Sequence, residues 1–227
     1  MVINIYKPVK NFKTSHFGSN FWDCFSFKLD RDAYFYSDLE YEHWILVETN
    51  PLINNFCEQP IKIELEYEGK MHSTIFDMWI QWNNGKEEFI EIKYSKDIKE
   101  SLNPNCKRSM KTHIQLAIQK EWCSLNGYLY RIVTEEDIRS QPMLSNKKLI
   151  MPYIRDSNSV SDIDKKTIMN KLTEKETLVS SLALDTNLDQ QTLNKTLFSL
   201  YIQQKININL DEILYSNNSK VRLHNDR

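Results

Sequence analysis

The sequence predicts an α/β domain followed by a smaller domain of short helices and a hairpin. Three observations lead to this fold class. Two strand-like segments flank a tight turn near residue 84, a helical stripe and a further apolar strand follow them, and the pattern changes to short helices beyond residue 155. A strand–helix–strand order implies a parallel crossover, so the first domain is expected to be a mixed sheet with helices on its faces.

The central hairpin lies within residues 75–94. Aromatic and β-branched residues flank Asn83-Asn84-Gly85, whose glycine can adopt the positive φ that a hairpin loop needs. A two-residue loop would send Asp77 and Glu91 to opposite faces of the sheet, whereas a three-residue loop places them opposite each other. We predict the three-residue loop, because it brings Asp77, Glu91 and Lys93 together on one face.

Two facing carboxylates and a lysine form a pattern that suits metal-dependent hydrolysis. Asp77 and Glu91 repel each other unless a hard cation lies between them, and Mg²⁺ takes oxygen ligands. Lys93 can then orient or deprotonate a metal-bound water near a scissile phosphate. The spacing is the signature of the PD-(D/E)xK nucleases, with Phe76 in place of their proline. Taken alone, the pattern also fits an edge strand with a solvated charged face.

The elements before the hairpin are predicted from turn and capping signals. Residues 1–36 are expected to form an extended arm and one or two short strands. A helix is predicted to begin at Ser37-Asp38-Leu39-Glu40, which is a capping box, and to stop before Pro51. The role of Glu40 is therefore open between helix cap and functional group. Residues 61–67 alternate as a strand that ends at a Glu-Gly turn.

The segment after the hairpin is locally basic and then helical. A helix is predicted over residues 106–125 from its apolar stripe, with Asn126-Gly127 as its end and a buried strand at residues 128–133. Lysine and arginine side chains can follow a phosphate backbone, although a solvated helix face has the same composition. The candidate DNA contacts are Lys96, Lys107, Arg108 and Lys111.

Composition limits the function classes. The chain has 227 residues, 41% hydrophobic, and a net charge of −2, so any contact with nucleic acid must come from a local basic patch. Its four cysteines show no metal-binding spacing, which fits reduced thiols in a cytoplasmic protein. We expect no membrane association, because no stretch is apolar enough to span a bilayer and the N-terminus has no signal-peptide pattern.

The C-terminal region is predicted to be a separate domain, with boundaries at 1–155 and 156–227. Helices are expected at residues 163–172 and 178–184 and after Asp189, followed by two short strands, an order typical of a winged helix. Residues 162–227 hold nine Lys/Arg and nine Asp/Glu, so this module is neutral. It is therefore as compatible with protein docking as with DNA reading. The third helix is expected to expose Gln190, Gln191, Asn194 and Lys195.

In its ordered set of motifs, the chain resembles the TnsA-type endonuclease subunit of heteromeric bacterial, Tn7-like transposases. The resemblance extends over most of the chain. The motifs that carry it are Ser-Asp-Leu-Glu at 37–40, Glu58-Gln59-Pro60, Asp77, Glu91-Ile92-Lys93 and Val133-Thr-Glu-Glu-Asp-Ile-Arg139. Some members of the family have Gln at the position of Glu91.

The resemblance implies a fold and an activity. The fold is a PD-(D/E)xK restriction-endonuclease-like mixed sheet flanked by helices, followed by a winged-helix domain. The activity is metal-dependent hydrolysis of phosphodiester bonds at the 5′ ends of a transposon during cut-and-paste DNA transposition. The implied catalytic residues are Glu40, Asp77, Glu91 and Lys93. The implied ligands of Mg²⁺ (or Mn²⁺) are Asp77, Glu91, Glu40 and the backbone carbonyl of Ile92.

The resemblance also implies partners. They are double-stranded transposon-end DNA, a DDE transposase subunit that cleaves and joins the 3′ ends, and an AAA+ transposition regulator, all in the bacterial cytoplasm. Two alternatives remain at this point. One is a non-catalytic DNA- or protein-binding adaptor with a decayed nuclease fold, against which the complete set of four site residues argues. The other is a stand-alone restriction-type nuclease, for which the neutral C-terminal module is a poor source of specificity.

Overall fold

The computed structural model of the protein describes residues 6–9, 20–155 and 157–224. The chain divides into two compact units, one of Met1–Val47 with Leu52–Ile138 and one of Glu48–Pro51 with Arg139–Arg227. The sequence prediction had placed the boundary at 155/156 instead. The difference arises from the helix Met143–Ile154, because its Ile150 and Ile154 are buried in the hydrophobic core of the second unit.

The first unit begins with a short hairpin and a helix and continues with alternating strands and helices. Its strands are β1 (Trp22–Ser26), β2 (Arg31–Phe35), β3 (Ile53–Glu58), β4 (Lys62–Tyr67), β5 (Lys70–Ile75), β6 (Met78–Trp82), β7 (Glu87–Ile92) and β8 (Leu129–Val133). Its helices are α1 (Asp38–Glu48), α2 (Ser95–Leu102), α3 (Lys107–Asn126) and α4 (Glu135–Ile138). The predicted N-terminal strands are thus present as β1 and β2, whereas most of the predicted arm lies outside the described residues.

The main sheet is mixed, as predicted. Its strand order is β3-β6-β7-β8, with antiparallel pairs except for the parallel pair β7–β8. This parallel pair is the crossover expected from the sequence, and α2 and α3 form its connection. The strand β8 lies at the edge, and its Leu129 is 53% exposed, so the prediction of a buried strand was wrong for this position. The mixed sheet with flanking helices fits a restriction-endonuclease-like fold.

Helix α3 covers one face of this sheet through aromatic packing. Phe76, Trp79 and Phe89 are fully buried, and the Trp122 ring of α3 lies 5.6 Å from Phe76 and 5.4 Å from Phe89. Each such buried side chain stabilises the fold by about 2–3 kcal/mol. The helix ends as predicted, because Gly127 has a φ of +73° and its N–H caps the last turn. The core therefore fixes α3 against β7, which carries Glu91, and against β6, which Asp77 directly precedes.

A second hairpin, β4–β5, stands apart from the main sheet. Its two strands pair from Lys62 opposite Ile75 to Tyr67 opposite Lys70. The turn is the predicted Glu68-Gly69, where both residues have positive φ. The Tyr67 hydroxyl lies 3.2 Å from His113 Nε2, which ties the hairpin to α3.

The second unit has helices around a small sheet. Its elements are α5 (Met143–Ile154), a 3₁₀ turn (Ser157–Ser159), α6 (Asp162–Met169), β9 (Thr177–Leu178), α7 (Val179–Thr186), α8 (Gln190–Ile202), β10 (Ile206–Ile208) and β11 (Lys220–Leu223). The sheet has the antiparallel order β10-β11-β9. The predicted three helices and terminal strands are all present. The sequence did not predict α5, which contains Pro152 inside the helix.

Helix α8 is the central helix of this unit. It packs against α5, α6, the 3₁₀ turn and β10, and the five consecutive residues 196–200 are buried. The Asp189 side chain accepts hydrogen bonds from Gln191 N and Thr192 N and so caps the helix, as predicted. Across the described parts of the chain, the structure contains no helix that is both long and apolar enough to cross a membrane.

Candidate active site

The hairpin β6–β7 has the predicted register. Gln81 pairs with Glu87 and Met78 with Ile90, which places Asp77 opposite Glu91 one step further along. The loop is Asn83-Asn84-Gly85, with a Gly85 φ of +81° and a hydrogen bond from its N–H to the Trp82 carbonyl. Asp77 lies just before β6, and its Oδ2 accepts a 2.7 Å hydrogen bond from Ile92 N. Asp77 is therefore fastened to the end of β7, where Glu91 and Lys93 lie.

Glu40 caps its own helix. Its backbone N–H donates to Ser37 Oγ over 3.2 Å, and its carboxylate accepts from Ser37 Oγ over 3.0 Å and from Tyr36 N over 3.2 Å. Burial raises the pKa of Glu40, and the charge of Asp77 raises it further, while these hydrogen bonds and Lys93 oppose the shift. Glu40 therefore caps α1 and is also influenced by the charges of Asp77 and Lys93, but in the described part of the chain it forms no three-carboxylate metal group with Asp77 and Glu91.

Glu91 is fully buried on β7 and surrounded by donors. Its Oε1 accepts from Gln115 Nε2 over 2.6 Å and from the Lys93 ammonium, and its Oε2 accepts from Gln119 Nε2 over 2.7 Å. Burial raises the pKa of Glu91 well above its usual range, and Asp77 raises it further. Lys93 and Gln119 oppose this shift without cancelling it, because the removal of the carboxylate from water is the largest effect.

The Lys93 ammonium lies among three oxygen atoms. It bonds to Glu91 Oε1, and its Nζ lies 3.4 Å from the Ile92 carbonyl oxygen and 4.0 Å from Asp77 Oδ2. Burial would lower the pKa of Lys93, but Asp77 and Glu91 outweigh it and leave that pKa raised. Lys93 is therefore a cation in this site, and its charge lies at the point where the three oxygens converge.

The donor set fits a hard divalent cation. The oxygens that converge on Lys93 Nζ come from Asp77, Glu91 and Ile92, and Mg²⁺ prefers such ligands while keeping several waters. In the described part of the chain, no group of three or more His, Cys, Asp and Glu side chains forms a metal cluster. The protein's direct ligands would thus be two carboxylates and a carbonyl, a small number that suits Mg²⁺. Burial raises the pKa values of Glu40 and Glu91 and the charge of Asp77 raises them further, a repulsion that a bound cation would relieve.

A cleft of about 830 Å³ in the first unit leads to Asp77. Its walls are α3 and the β4–β5 hairpin. Cationic side chains line it from both sides, namely Lys62, Lys107 and Lys111, and Asp77 is the single acidic residue among the described residues of the lining. This cleft is suited to a polyanion whose backbone passes over a carboxylate site.

The four predicted DNA contacts fall into two pairs. Lys107 and Lys111 lie one helical turn apart and line the cleft, and among the described residues neither forms an ion pair. Arg108 instead bonds to Asp97 over 2.8 Å, and Lys96 Nζ lies 3.7 Å from Glu100, with both cations largely exposed. The structure thus brings Lys107 and Lys111 to the site and places Lys96 and Arg108 in surface ion pairs.

Sequence analysis missed the polar side chains that hold Glu91. Gln115 and Gln119 lie one turn apart on α3, and Tyr130 on β8 donates a 2.9 Å hydrogen bond to Gln119 Oε1. Their spacing of four residues was the available signal, since it places both amides on one helix face. That face also carries Ile118 and Trp122, so it is the buried face. The sequence analysis also missed Lys62, which adds a cation to the cleft.

Comparison with known proteins agrees with this geometry. Residues 50–135 match the family model of the TnsA-like endonuclease N-terminal domain. The match contains Asp77, Glu91 and Lys93, together with the α3 residues that line the cleft. No curated protein matches the chain. The match confirms the resemblance over residues 50–135, where the chain carries a TnsA-like endonuclease N-terminal domain; the motif at residues 37–40 lies outside it.

Proposed function

We propose that this protein is the Mg²⁺-dependent DNA endonuclease subunit of a heteromeric transposase and hydrolyses phosphodiester bonds at the 5′ ends of the transposon. One observation carries the proposal. Within the TnsA-like domain, Asp77 lines a cleft whose other charged lining residues are cationic, and it lies beside Glu91 and Lys93 at the end of β7. This combination of hard oxygen ligands and phosphate-binding side chains is what hydrolysis of DNA requires.

The chain's own residues have distinct roles in this reaction. Asp77, Glu91 and the Ile92 carbonyl, with Glu40 nearby, would hold the metal ion, which when bound supplies Lewis-acid polarisation of the scissile phosphate. Lys93 orients the attacking water and, as an ammonium, stabilises negative charge that develops on the phosphate. Water attacks phosphorus, the bond to the leaving oxygen breaks, and that oxygen ends as a hydroxyl.

The path of the DNA follows the cleft. Lys107 and Lys111 on α3 face it from one wall, and Lys62 on β4, whose Nζ also pairs with Glu64 Oε1 over 2.9 Å, faces it from the other. Each neutralised phosphate releases counterions and makes binding dependent on salt. A local patch of this kind provides the DNA affinity that the net charge of −2 does not.

We propose that the second unit is a winged helix that docks onto a partner protein. Its α6, α7 and α8 with the sheet β10-β11-β9 follow the element order of that motif. Docking is favoured over base reading because α8 is largely buried and Asn194 Oδ1 already accepts from Gln190 and Tyr215. Leu184 and Ile163 are 84% and 75% exposed and offer apolar contacts.

The partners follow from the TnsA-like domain. A DDE transposase subunit would cleave and join the 3′ ends, and an AAA+ regulator would bind the second unit. In the full-length chain, Leu184→Asp should weaken co-purification with the regulator and leave DNA affinity unchanged. Gln190→Glu is the control that places a charge on the exposed start of α8. If Gln190→Glu reduces DNA affinity while Leu184→Asp has no effect on the regulator, the unit reads DNA instead.

The central experiment measures cleavage. The chain is purified with the neighbouring transposition proteins and incubated with transposon-end DNA, with and without Mg²⁺. We expect Mg²⁺-dependent cuts at the 5′ ends that Asp77→Ala abolishes without loss of folded protein. Transposition complexes that assemble but never cut the 5′ ends would instead support the adaptor. Cleavage of DNA by the chain alone at a specific site would support the stand-alone nuclease.

A further inference from the structure

The carboxylate of Glu91 accepts hydrogen bonds from two side chains that have no other role in the proposed reaction. Its two oxygens receive three hydrogen bonds, and two of them come from the neutral amides of Gln115 and Gln119. Glu91 and Gln119 are both completely buried. A buried carboxylate with donors on both oxygens has one allowed orientation, because rotation would leave at least one donor unpaired.

Four partners fix the orientation of the Gln119 amide. Its Nε2 donates to Glu91 Oε2 over 2.7 Å and lies 3.4 Å from the Ile75 carbonyl and 3.3 Å from Thr74 Oγ1. Its Oε1 accepts the Tyr130 hydroxyl over 2.9 Å. A flipped amide would direct its oxygen at the Glu91 carboxylate and the Ile75 carbonyl, which are both acceptors. The flipped arrangement therefore loses the bond to Glu91 and the contact with Ile75, although the two hydroxyls can donate or accept in either arrangement.

Tyr130 is the outer member of this chain of bonds. It lies on β8, which pairs in parallel with β7, so the main sheet fixes its distance from Glu91. Burial and the negative charges of Glu91 and Asp77 raise the pKa of Tyr130, so its hydroxyl keeps its proton and remains a donor. The direction of donation therefore runs from Tyr130 to Gln119 to Glu91.

We propose that Gln119 and Tyr130 are positioning residues that hold the Glu91 carboxylate in the orientation needed to bind the metal. This inference rests on the proposed nuclease function for the role of the two residues. The chain of hydrogen bonds from Tyr130 through Gln119 to Glu91, called the relay below, has a test of its own. Gln119 donates to Oε2 from the buried side. Gln115 lines the cleft and donates to Oε1, so it contacts the same carboxylate from the substrate side.

The first test needs neither metal nor DNA. In ¹⁵N-labelled protein, the side-chain amide signal that disappears in Gln119→Met is assigned to Gln119. A fixed amide should exchange its hydrogens slowly, and Tyr130→Phe should speed this exchange about tenfold or more, because one of its anchoring bonds is lost. Tyr128→Phe is the matched control, since its hydroxyl contacts Tyr6 over 3.4 Å and lies outside the relay.

The second test measures the consequence for the site. Mn²⁺ affinity is followed by electron paramagnetic resonance of the free ion, and cleavage of transposon-end DNA is measured with the partner proteins present. We expect Tyr130→Phe to weaken Mn²⁺ binding and to lower kcat by about tenfold each, as outer hydrogen-bond partners of metal ligands do. KM for DNA should stay within about twofold, because Tyr130 is not among the residues that line the cleft. Tyr128→Phe should match wild type in both.

The outcomes separate the relay from the nuclease. Fast exchange of the Gln119 amide in wild type, or exchange unaffected by Tyr130→Phe, overturns the relay whether or not the protein cleaves DNA. A Tyr130→Phe variant with wild-type Mn²⁺ affinity and kcat overturns the positioning role. If the Gln119 amide exchanges slowly and depends on Tyr130, but the protein neither binds Mn²⁺ nor cuts DNA, the proposed function is contradicted. The relay then has a structural role only.

Discussion

Two buried carboxylate regions of the first unit differ in how their charge is balanced. Glu58, at the end of β3, accepts hydrogen bonds from both terminal guanidinium nitrogens of Arg31, each over 2.7 Å. One cation therefore neutralises one carboxylate. Glu91, at the end of β7, shares a single ammonium, Lys93, with Asp77. In the first region the charges balance, whereas the second region has more carboxylates than cations. An excess that burial makes costly is expected where a site must accept another cation.

The largest expected effect is on cleavage, from the Asp77→Asn variant. The substitution removes a charge from the region with excess carboxylates but keeps an oxygen that can accept from Ile92 N. We expect cleavage to fall about a thousandfold, equivalent to about 4 kcal/mol of transition-state stabilisation. The melting temperature of the metal-free protein should stay the same or rise, because carboxylate repulsion is relieved. Cleavage on transposon-end DNA and thermal unfolding measure the two effects.

Glu58→Gln is the matched substitution in the balanced region, and the effects should be reversed. It leaves the Arg31 guanidinium without its counter-charge, and breaking a buried pair in this way costs about 3 kcal/mol. Unfolding in denaturant should show this loss, while cleavage per folded molecule stays near wild type. A lower melting temperature for Asp77→Asn, or a loss of cleavage without unfolding for Glu58→Gln, would contradict the assignment of one region to catalysis and the other to stability.

Glu40→Gln has a smaller effect on cleavage. Glutamine can still serve the capping box, so the helix α1 should keep its stability. The carboxylate charge is lost, and we expect cleavage to fall about tenfold to a hundredfold. A Ser37→Ala control removes the cap but keeps the Glu40 charge, and it should lower the melting temperature with little change in cleavage per folded molecule. Full activity in Glu40→Gln would reduce this residue to a helix cap.

The sequence predicted the parts of this comparison that local rules determine. The local sequence allowed a two- or a three-residue loop at Asn83-Asn84-Gly85, and the three-residue loop, chosen because it faces Asp77 toward Glu91, is the one observed; Ser37 with Glu40 marked the start of α1. Both features depend on residues that are close in sequence or joined by one turn. Their roles in catalysis remain predictions, because register and capping alone do not establish chemistry.

The pairing of these donors with the carboxylates followed from no local rule. Gln119 and Glu91 are 28 residues apart, and only the packing of α3 on the sheet brings them together. A glutamine on a helix usually faces solvent, so its burial follows from tertiary structure rather than from pattern. The same holds for Arg31 and Glu58, which are 27 residues apart. Lys107 and Arg108 were equally basic neighbours in the sequence, and only the fold assigned one to the cleft and one to Asp97.

That last distinction leads to a prediction about DNA affinity. Replacing the cleft pair, Lys107→Ala with Lys111→Ala, should weaken binding of duplex DNA about tenfold and reduce the salt dependence by nearly two counterions. Replacing the paired surface cations, Lys96→Ala with Arg108→Ala, removes the same charge and should have a smaller effect, because both already interact with carboxylates. Fluorescence anisotropy at several salt concentrations measures both. Equal losses from the two double variants would show that general charge, not the cleft, attracts the DNA.

The smallest effect is on the pH dependence of stability, and it tests the excess charge directly. Burial and Asp77 raise the pKa of Glu40 from 4.5 to about 7 in the folded metal-free protein. The folded state therefore keeps the Glu40 proton over a pH range in which the unfolded state has lost it. The contribution of this proton to folding stability is complete below pH 4.5 and is lost as pH rises toward 7.

Glu40→Gln does not titrate. Its stability relative to wild type should thus increase by about 1 kcal/mol between pH 4.5 and 7 after allowance for coupling to Asp77. Denaturant unfolding at closely spaced pH values measures this difference. A difference that stays flat with pH would mean that Glu40 carries its charge in the folded state at no cost, and the contrast with the Arg31–Glu58 region would then rest on Glu91 and Asp77 alone.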